Sequence, residues 1–311
     1  MENKSILVTG GAGFIGSNIV RKLMLEKIRF VRILDNLSSG NKNNIQCLLD
    51  KYPNLEFMYG DIRDIEVCRN AVQDIDIICH QAGIVSVPQS IQNPLLTHTV
   101  NVTGFINILT VAKEKNITRI VYASSCAVYG DSLILPNDEK HICSVLSPYA
   151  ITKVIMELYA NLYTKCYHME CIGLRYFNVY GLRQTSGEDV ISNFMNAIKT
   201  NKTVTIFGDG SFSRDFVYVD DVANANILAM TTQNKKTFGE VFNIGSGIQI
   251  SILTLFNVIK DRLHSDIIPI FKEIRNGDIS HSCANINKAK TLLEYNPLVS
   301  FGEGVAKTCV L

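Results

Sequence analysis

The chain of 311 residues is 47% hydrophobic and 19% charged, a globular composition that excludes a disordered or low-complexity protein. Thirty Lys and Arg stand against 29 Asp and Glu, and a formal net charge of +1 gives no field for a polyanion, so nucleic acid is not an expected partner. No apolar run of about 18 residues is free of charge and glycine, Met1 to Val20 lacks a basic leader and cleavage site, and nine cysteines include no C-x-x-C pair, so a cytoplasmic protein with reduced thiols and no membrane partner is expected.

Strand-length apolar runs at Ile6–Val8, Phe30–Leu34, Leu55–Met58, Ile75–Cys79 and Ile120–Ala123 alternate with stretches long enough for helical crossovers. Continuous apolar strands separated by helices predict a parallel sheet covered on both faces, an α/β doubly wound (Rossmann-type) fold. A helix over Tyr149–Tyr167 leads into a sixth strand at Cys171–Tyr176. Beyond Asn178 the pattern loosens, with strands at Thr203–Phe207 and Val241–Ile244 and a helix over Ser251–Leu263. We therefore expect residues 1–178 to form the dinucleotide-binding domain, with a segment of about 214–248 interleaved, and residues 179–311 to form a smaller mixed α/β domain.

Directly after the first strand comes Gly10-Gly11-Ala12-Gly13-Phe14-Ile15-Gly16. Gly10 permits the tight turn, Gly13 lets the backbone approach a pyrophosphate, and Gly16 allows close helix-on-strand packing, with Phe14 and Ile15 opening the helix whose N-terminus attracts phosphate. Asp35 closes the second strand 19 residues after Gly16, where a carboxylate accepts from a ribose diol and repels a 2'-phosphate. NAD is thus expected rather than NADP, with Asn36 beside the same ribose. Topology places Asp61 and Ile62 at the adenine and Gln81 and Ala82 near the pyrophosphate and ribose, although Asp61 reads equally well as a turn acid. The six histidines show no ligand spacing, and no metal is expected.

The fifth strand ends in Ser124-Ser125-Cys126-Ala127, and Tyr149 and Lys153 follow four residues apart behind Pro148, on one face of a helix. A phenol titrates near 10, too high for a base at neutral pH, and a cation about 4 Å away is worth roughly 4 kcal/mol at an effective dielectric of about 20. Lys153 is therefore expected to lower the Tyr149 phenol so that it serves as proton acceptor, with Ser125 holding the reacting hydroxyl.

Together the glycine loop, Ser124-Ser125, Tyr149 with Lys153, and Leu174-Arg175-Tyr176-Phe177-Asn178 resemble the extended short-chain dehydrogenase/reductases that act on nucleotide sugars, the NAD-dependent epimerase/dehydratase family. The resemblance runs over nearly the whole chain and implies tightly held, recycled NAD, with Tyr176 at the cofactor. It places Asn178, Arg214 and Arg275 on a nucleotide diphosphate, and Asp278, Ser86, Ser124 and Ser282 in the substrate site. Dehydratases of this family carry an acid and a base where this chain has Cys126 and Ala127, and alanine moves no proton.

That difference points to the UDP-hexose 4-epimerases, and Leu146-Ser147-Pro148-Tyr149 and Gln81 to Pro88 are most similar to bacterial UDP-N-acetylglucosamine 4-epimerases. Small Ser282 leaves room for a 2-acetamido group, and it also reads as an ordinary strand residue. UDP-GlcNAc is the expected substrate, with UDP-glucose also in range. A UDP-glucuronate 4-epimerase or decarboxylase, a dehydratase, and a non-catalytic NAD(H)-binding sensor are the alternatives. The Arg183–Asp189 loop is shorter than in relatives, and a homodimer through Leu96–Val111 and Val154–Leu162 is expected.

Overall fold

A computed structural model describes residues 1, 3–141, 145–184, 189–274 and 279–309. The first half runs β1 (Ser5–Thr9), α1 (Phe14–Leu23), β2 (Phe30–Asp35), α2 (Asn43–Lys51), β3 (Leu55–Tyr59), α3 (Ile65–Ala71), β4 (Ile77–His80), α4 (Val87–Gln92), α5 (Pro94–His98), a π-helical turn (Thr99–Thr103), α6 (Gly104–Glu114) and β5 (Arg119–Ser125). Then come α7 (Pro148–Tyr167), β6 (Glu170–Tyr176), β7 (Asn178–Tyr180), α8 (Val190–Lys199), β8 (Thr205–Phe207), β9 (Ser213–Tyr218) and α9 (Val219–Thr231). The chain ends with β10 (Val241–Ile244), β11 (Gln249–Ser251), α10 (Ile252–Arg262), β12 (Ile270–Lys272), α11 (Asn287–Leu293) and α12 (Phe301–Cys309).

Seven strands form one parallel sheet in the order β10-β6-β5-β4-β1-β2-β3. Alternation along the strands fills both faces: Ile6, Val8 and Val121 enter one core cluster, while Leu7, Ile120 and Tyr122 enter the other. This is the expected doubly wound Rossmann-type sheet, and every one of these strands overlaps a run visible in the sequence. The strand order reverses between β1 and β4, so a crevice opens at their C-terminal ends, where such sheets bind ligands.

A third core cluster gathers Tyr180, Phe194, Ile206, Phe216, Tyr218 and Phe256 beneath two small sheets, β11-β9-β7 and β12-β8. Of their strands, β8 falls within the expected Thr203–Phe207 run, while β7, β11 and β12, three residues each, are too short for a legible period. The stretch Pro94–Glu114 is long and apolar enough to cross a membrane, at mean hydropathy 1.3, but half of it is buried. Phe105, Ile108, Leu109, Val111 and Ala112 of α6 lie in the core, so α6 offers little of the apolar outer face expected over Leu96–Val111. That face belongs to α4, α5 and α7, where Ile91, Leu95, Ile151, Leu158 and Leu162 are exposed.

Candidate active site

The β1–α1 turn shows why its glycines are glycines. Gly10 sits at φ +68°, and a Cβ there would lie 2.6 Å from the Ala82 backbone nitrogen. A Cβ on Gly16 would strike the Gly10 carbonyl oxygen and come within 2.8 Å of Gly11 Cα. Gly13 caps α1 with no side chain, so no side-chain acceptor covers the first N–H groups of a helix that has no acid in its first turn. That cradle and dipole suit a pyrophosphate. Phe14 and Ile15 follow as the first helical residues, packed against the third core cluster.

Asp35 ends β2 facing this turn. Its carboxylate accepts from Ala12 N at 2.9 Å and Leu37 N at 2.8 Å, which fixes it beside the position a ribose takes. Asn36 Nδ2 donates to Asp61 at 2.9 Å, and the Arg63 guanidinium on the same carboxylate holds Asp61 down at about 2. Ile62 is buried in the core cluster under α6, so its side chain is not free to touch an adenine.

Ala82 N donates to Thr9 Oγ1 at 3.3 Å, tying the ends of β4 and β1 at the crevice. Gln81 and Tyr176 meet through a 3.0 Å hydrogen bond, and both bond Asn226 of α9, a residue with no motif to mark it. Buried His80 makes one bond, to Thr9 Oγ1 at 2.9 Å, and its Nε2 has no partner. Burial, helped by the Lys153 ammonium, holds the imidazole down near 3.

Ser125, Tyr149 and Lys153 come together at the end of β5. Pro148 and the Ser147 cap, which accepts from Ala150 N at 3.2 Å, start α7 so that Tyr149 and Lys153 are both buried on its inner face. Ser125 Oγ accepts from Ala127 N at 3.1 Å and lies against the Tyr149 hydroxyl.

Lys153 does not offset burial at the Tyr149 phenol as the spacing implied. Its Nζ donates to Ala123 O at 2.8 Å and sits 5.8 Å from the phenol ring centre. Burial disfavours both charged forms: it pushes Tyr149 up to about 12, with Ser125 pulling back, and pulls Lys153 down to about 8.

Asn178 and Arg214 are brought side by side by β7 and β9. Asn178 Nδ2 donates to Asp215 O at 3.1 Å, and the Arg214 guanidinium donates to the carbonyls of Ser213 and Ser280. Ser282 N bonds Ser213 O at 3.1 Å, which places Ser282 beside the same strand. Asp215, unmarked in the sequence reading, is buried and accepts from Ser246 N, Gly247 N and Ala284 N, anchoring the strand that carries Arg214.

Cys126 follows Ser125, and burial pushes its thiol up to about 12 against the pull of the Arg214 guanidinium. Ser86 caps α4, accepting from Gln89 N at 3.3 Å. Ser124 departs from its expected place on the substrate: it is buried and donates to Glu157 at 2.5 Å. Arg275, Asp278 and most of the shortened loop, residues 185–188, lie outside the described residues.

Residues 6–245 match the model of the NAD dependent epimerase/dehydratase family. The chain belongs to that family. Among its relatives, a UDP-glucose 4-epimerase of Mycolicibacterium smegmatis is 35% identical over 97% of this chain and 96% of its own length. A UDP-N-acetylglucosamine 4-epimerase of Methanobrevibacter ruminantium, solved with UDP-N-acetylmuramic acid, superposes with a TM-score of 0.93 at 35% identity, covering 100% of this chain and 98% of its own. A UDP-glucuronic acid 4-epimerase of Bacillus cereus, solved with UDP-glucuronic acid and NAD, gives 0.92 at 31% identity over 98% of each chain.

NAD is this epimerase/dehydratase-family protein's cofactor, and the structure fits it: a Cβ on Gly10 or Gly16 would meet backbone below 3.0 Å, one on Gly13 would crowd Gly10 O at 3.2 Å, and the Asp35 carboxylate is tied to Ala12 N of the same turn. The protein is an enzyme of the UDP-sugar 4-epimerase kind.

Proposed function

We propose that the protein interconverts UDP-GlcNAc and UDP-GalNAc, with UDP-glucose and UDP-galactose as secondary substrates. The observation that carries the reaction type is the meeting of half-buried Ser125 with buried Tyr149 and Lys153 beside a position, Cys126-Ala127, that holds no ionised acid or base. Water elimination needs a proton taken from one carbon and another given to the leaving hydroxyl, and nothing at that position does either.

Bound NAD supplies a hydride acceptor and donor for sugar C4, together with a positive charge near the phenol. The chain's own groups handle the proton. Ser125 orients the C4 hydroxyl, Tyr149 accepts its proton and later returns it, and Lys153 stays an ammonium to stabilise the phenolate and hold the cofactor ribose. A phenol at about 12 is a poor base at neutral pH, so the site becomes competent once cofactor charge enters it. Asp35 holds the other ribose, Asn178 and Arg214 hold the diphosphate with Arg275, and a fork of arginine donors suits those oxygens.

Ser282, small and beside Arg214, supports the N-acetylated sugar. The exposed Ile91, Leu95, Leu158 and Leu162 on adjacent helices support a homodimer through α4, α5 and α7. We read residues 1–178 with about 219–248, the α9 and β10 stretch on the central sheet, as the cofactor unit and the remainder, β9 with Arg214 included, as the sugar-nucleotide unit. Incubation with UDP-GlcNAc, UDP-glucose and UDP-glucuronate in turn, with products resolved, tests the assignment. Turnover of UDP-GlcNAc above the others is expected, and turnover of UDP-glucuronate alone would overturn it.

A further inference from the structure

Tyr149, Lys153 and Glu157 stand at successive turns of α7, and all three are buried. The Glu157 carboxylate makes contacts that neither of the other two needs for itself. It accepts from Ser124 Oγ at 2.5 Å and takes the Arg175 guanidinium in a fork, Nε at 2.9 Å and Nη2 at 2.8 Å. Arg175 of β6 then donates to Tyr129 OH at 2.8 Å, and Tyr129 donates to Asn243 of β10 at 2.6 Å. One carboxylate thus joins the helix bearing Tyr149 and Lys153 to the strand end bearing Ser125.

We propose that Glu157 is a positioning residue of the reaction: it sets the Ser125 to Tyr149 spacing through Ser124 and supplies the negative charge that keeps Lys153 an ammonium. A purely structural ion pair would explain the fork to Arg175 but not the bond to the residue before Ser125. The inference rests on the epimerase reading for its kinetic consequence alone.

The other groups around Lys153 leave Glu157 as the anion that acts on it. On α7 itself Tyr149 is an un-ionised phenol pushed up to about 12. From β4 comes His80, held neutral near 3 by burial. Tyr122 of β5 and Cys126 of the turn are pushed up by burial and are neutral as well. From β6, Arg175 is engaged by Glu157, and beyond it Glu139 accepts from Asn243 N at 2.9 Å. The helices α4 to α6 bring His98 on an exposed face, and Lys113 at the far end of α7 against Tyr167. Burial already draws Lys153 down to about 8, and Glu157 is the neighbour that opposes this.

The sign follows: the ammonium is needed, so activity is lost as pH rises through the Lys153 pKa, and removing Glu157 moves that loss to lower pH. Glu157→Gln is expected to move the alkaline limb of kcat down by about one pH unit. Ser124→Ala is expected to lower kcat about tenfold with the limb unmoved, because it breaks only the spacing contact. Should Glu157→Gln strand Arg175 and unfold, Glu157→Leu with Arg175→Met removes both charges together and is expected to show the same downward limb.

NMR titration of the lysine 13Cε signal missing in Lys153→Arg reads the same shift with no turnover. It separates failure of this inference from failure of the epimerase reading, which would show as a wild type inert on every UDP-sugar. A 13Cε midpoint unchanged in the folded Glu157 variants, or wild-type kcat in Ser124→Ala, would overturn the proposal.

Discussion

Replacing Gly16 by alanine tests whether the β1–α1 turn is shaped for a pyrophosphate. Helix propensity alone favours alanine by about 1 kcal/mol. Against this, the new Cβ would meet the Gly10 carbonyl oxygen and lie 2.8 Å from Gly11 Cα, both of them backbone. No rotamer relieves such a contact, and overpacking typically costs about 1 to 3 kcal/mol, so the turn must shift. Gly13 N donates to Gly10 O at 3.1 Å, so the displaced carbonyl carries the helix N-terminus with it. NAD affinity is expected to fall at least about tenfold, the equivalent of about 1.4 kcal/mol.

Gly302 is the control, because a Cβ there meets no heavy atom within 4 Å and the helix gains propensity. Gly302→Ala is expected to keep wild-type NAD affinity and to melt no lower. Calorimetric titration of cofactor-stripped protein, with melting curves for each variant, reads both quantities. Gly16→Ala binding NAD as tightly as Gly302→Ala would refute the reasoning.

Three further outcomes follow from the site. Tyr149→Phe is expected to lose at least about 10²-fold in turnover with NAD binding retained, and Lys153→Ala is expected to be comparably severe; near-normal turnover by Tyr149→Phe would move the proton to another group. His80 is held near 3 against an ordinary 6.5, so the unfolded chain takes up a proton that the native one refuses. Its contribution is complete above pH 6.5 and is lost as pH falls towards 3, at about 1.4 kcal/mol per pH unit, so unfolding free energy between pH 6 and 4 should fall less steeply in His80→Leu, and equal slopes would contradict the assignment. Ser282→Tyr should lower kcat/KM for UDP-GlcNAc about 5-fold to 150-fold more than for UDP-glucose; equal losses would remove Ser282 from the sugar pocket.

Much of this was legible in the chain because the central sheet is buried on both faces: runs such as Ile6–Val8 and Ile77–Cys79 are apolar throughout. The glycine loop was legible for a related reason, since only glycine survives where a Cβ would meet backbone. The strands β7 and β11 were not, because Asn178–Tyr180 and Gln249–Ser251 are too short to show a period, and β9 was not, because Ser213-Arg214-Asp215 opens it with polar residues.

Buried polar networks escaped as well. Glu157, Asn226 and Asp215 were given no role in the sequence, and Arg175 was seen only as part of a motif; each is placed by a partner 18 to 145 positions away or by loops that fold back on it. Spacing from Tyr149 could have marked Glu157, two helical turns on. The effect of Lys153 on Tyr149 was misjudged because a pairwise attraction was counted without the burial that opposes both charges.

The central claim is that the hydride removed from C4 returns to C4 of the same sugar. UDP-GlcNAc deuterated at C4, incubated with the purified protein and no added reductant, measures this directly by mass spectrometry and NMR of the separated epimers. The account predicts a 4-epimer that keeps its deuterium at C4 while the bound cofactor ends as NAD. Loss of the label, or an oxidised sugar formed in step with reduced cofactor, would contradict it.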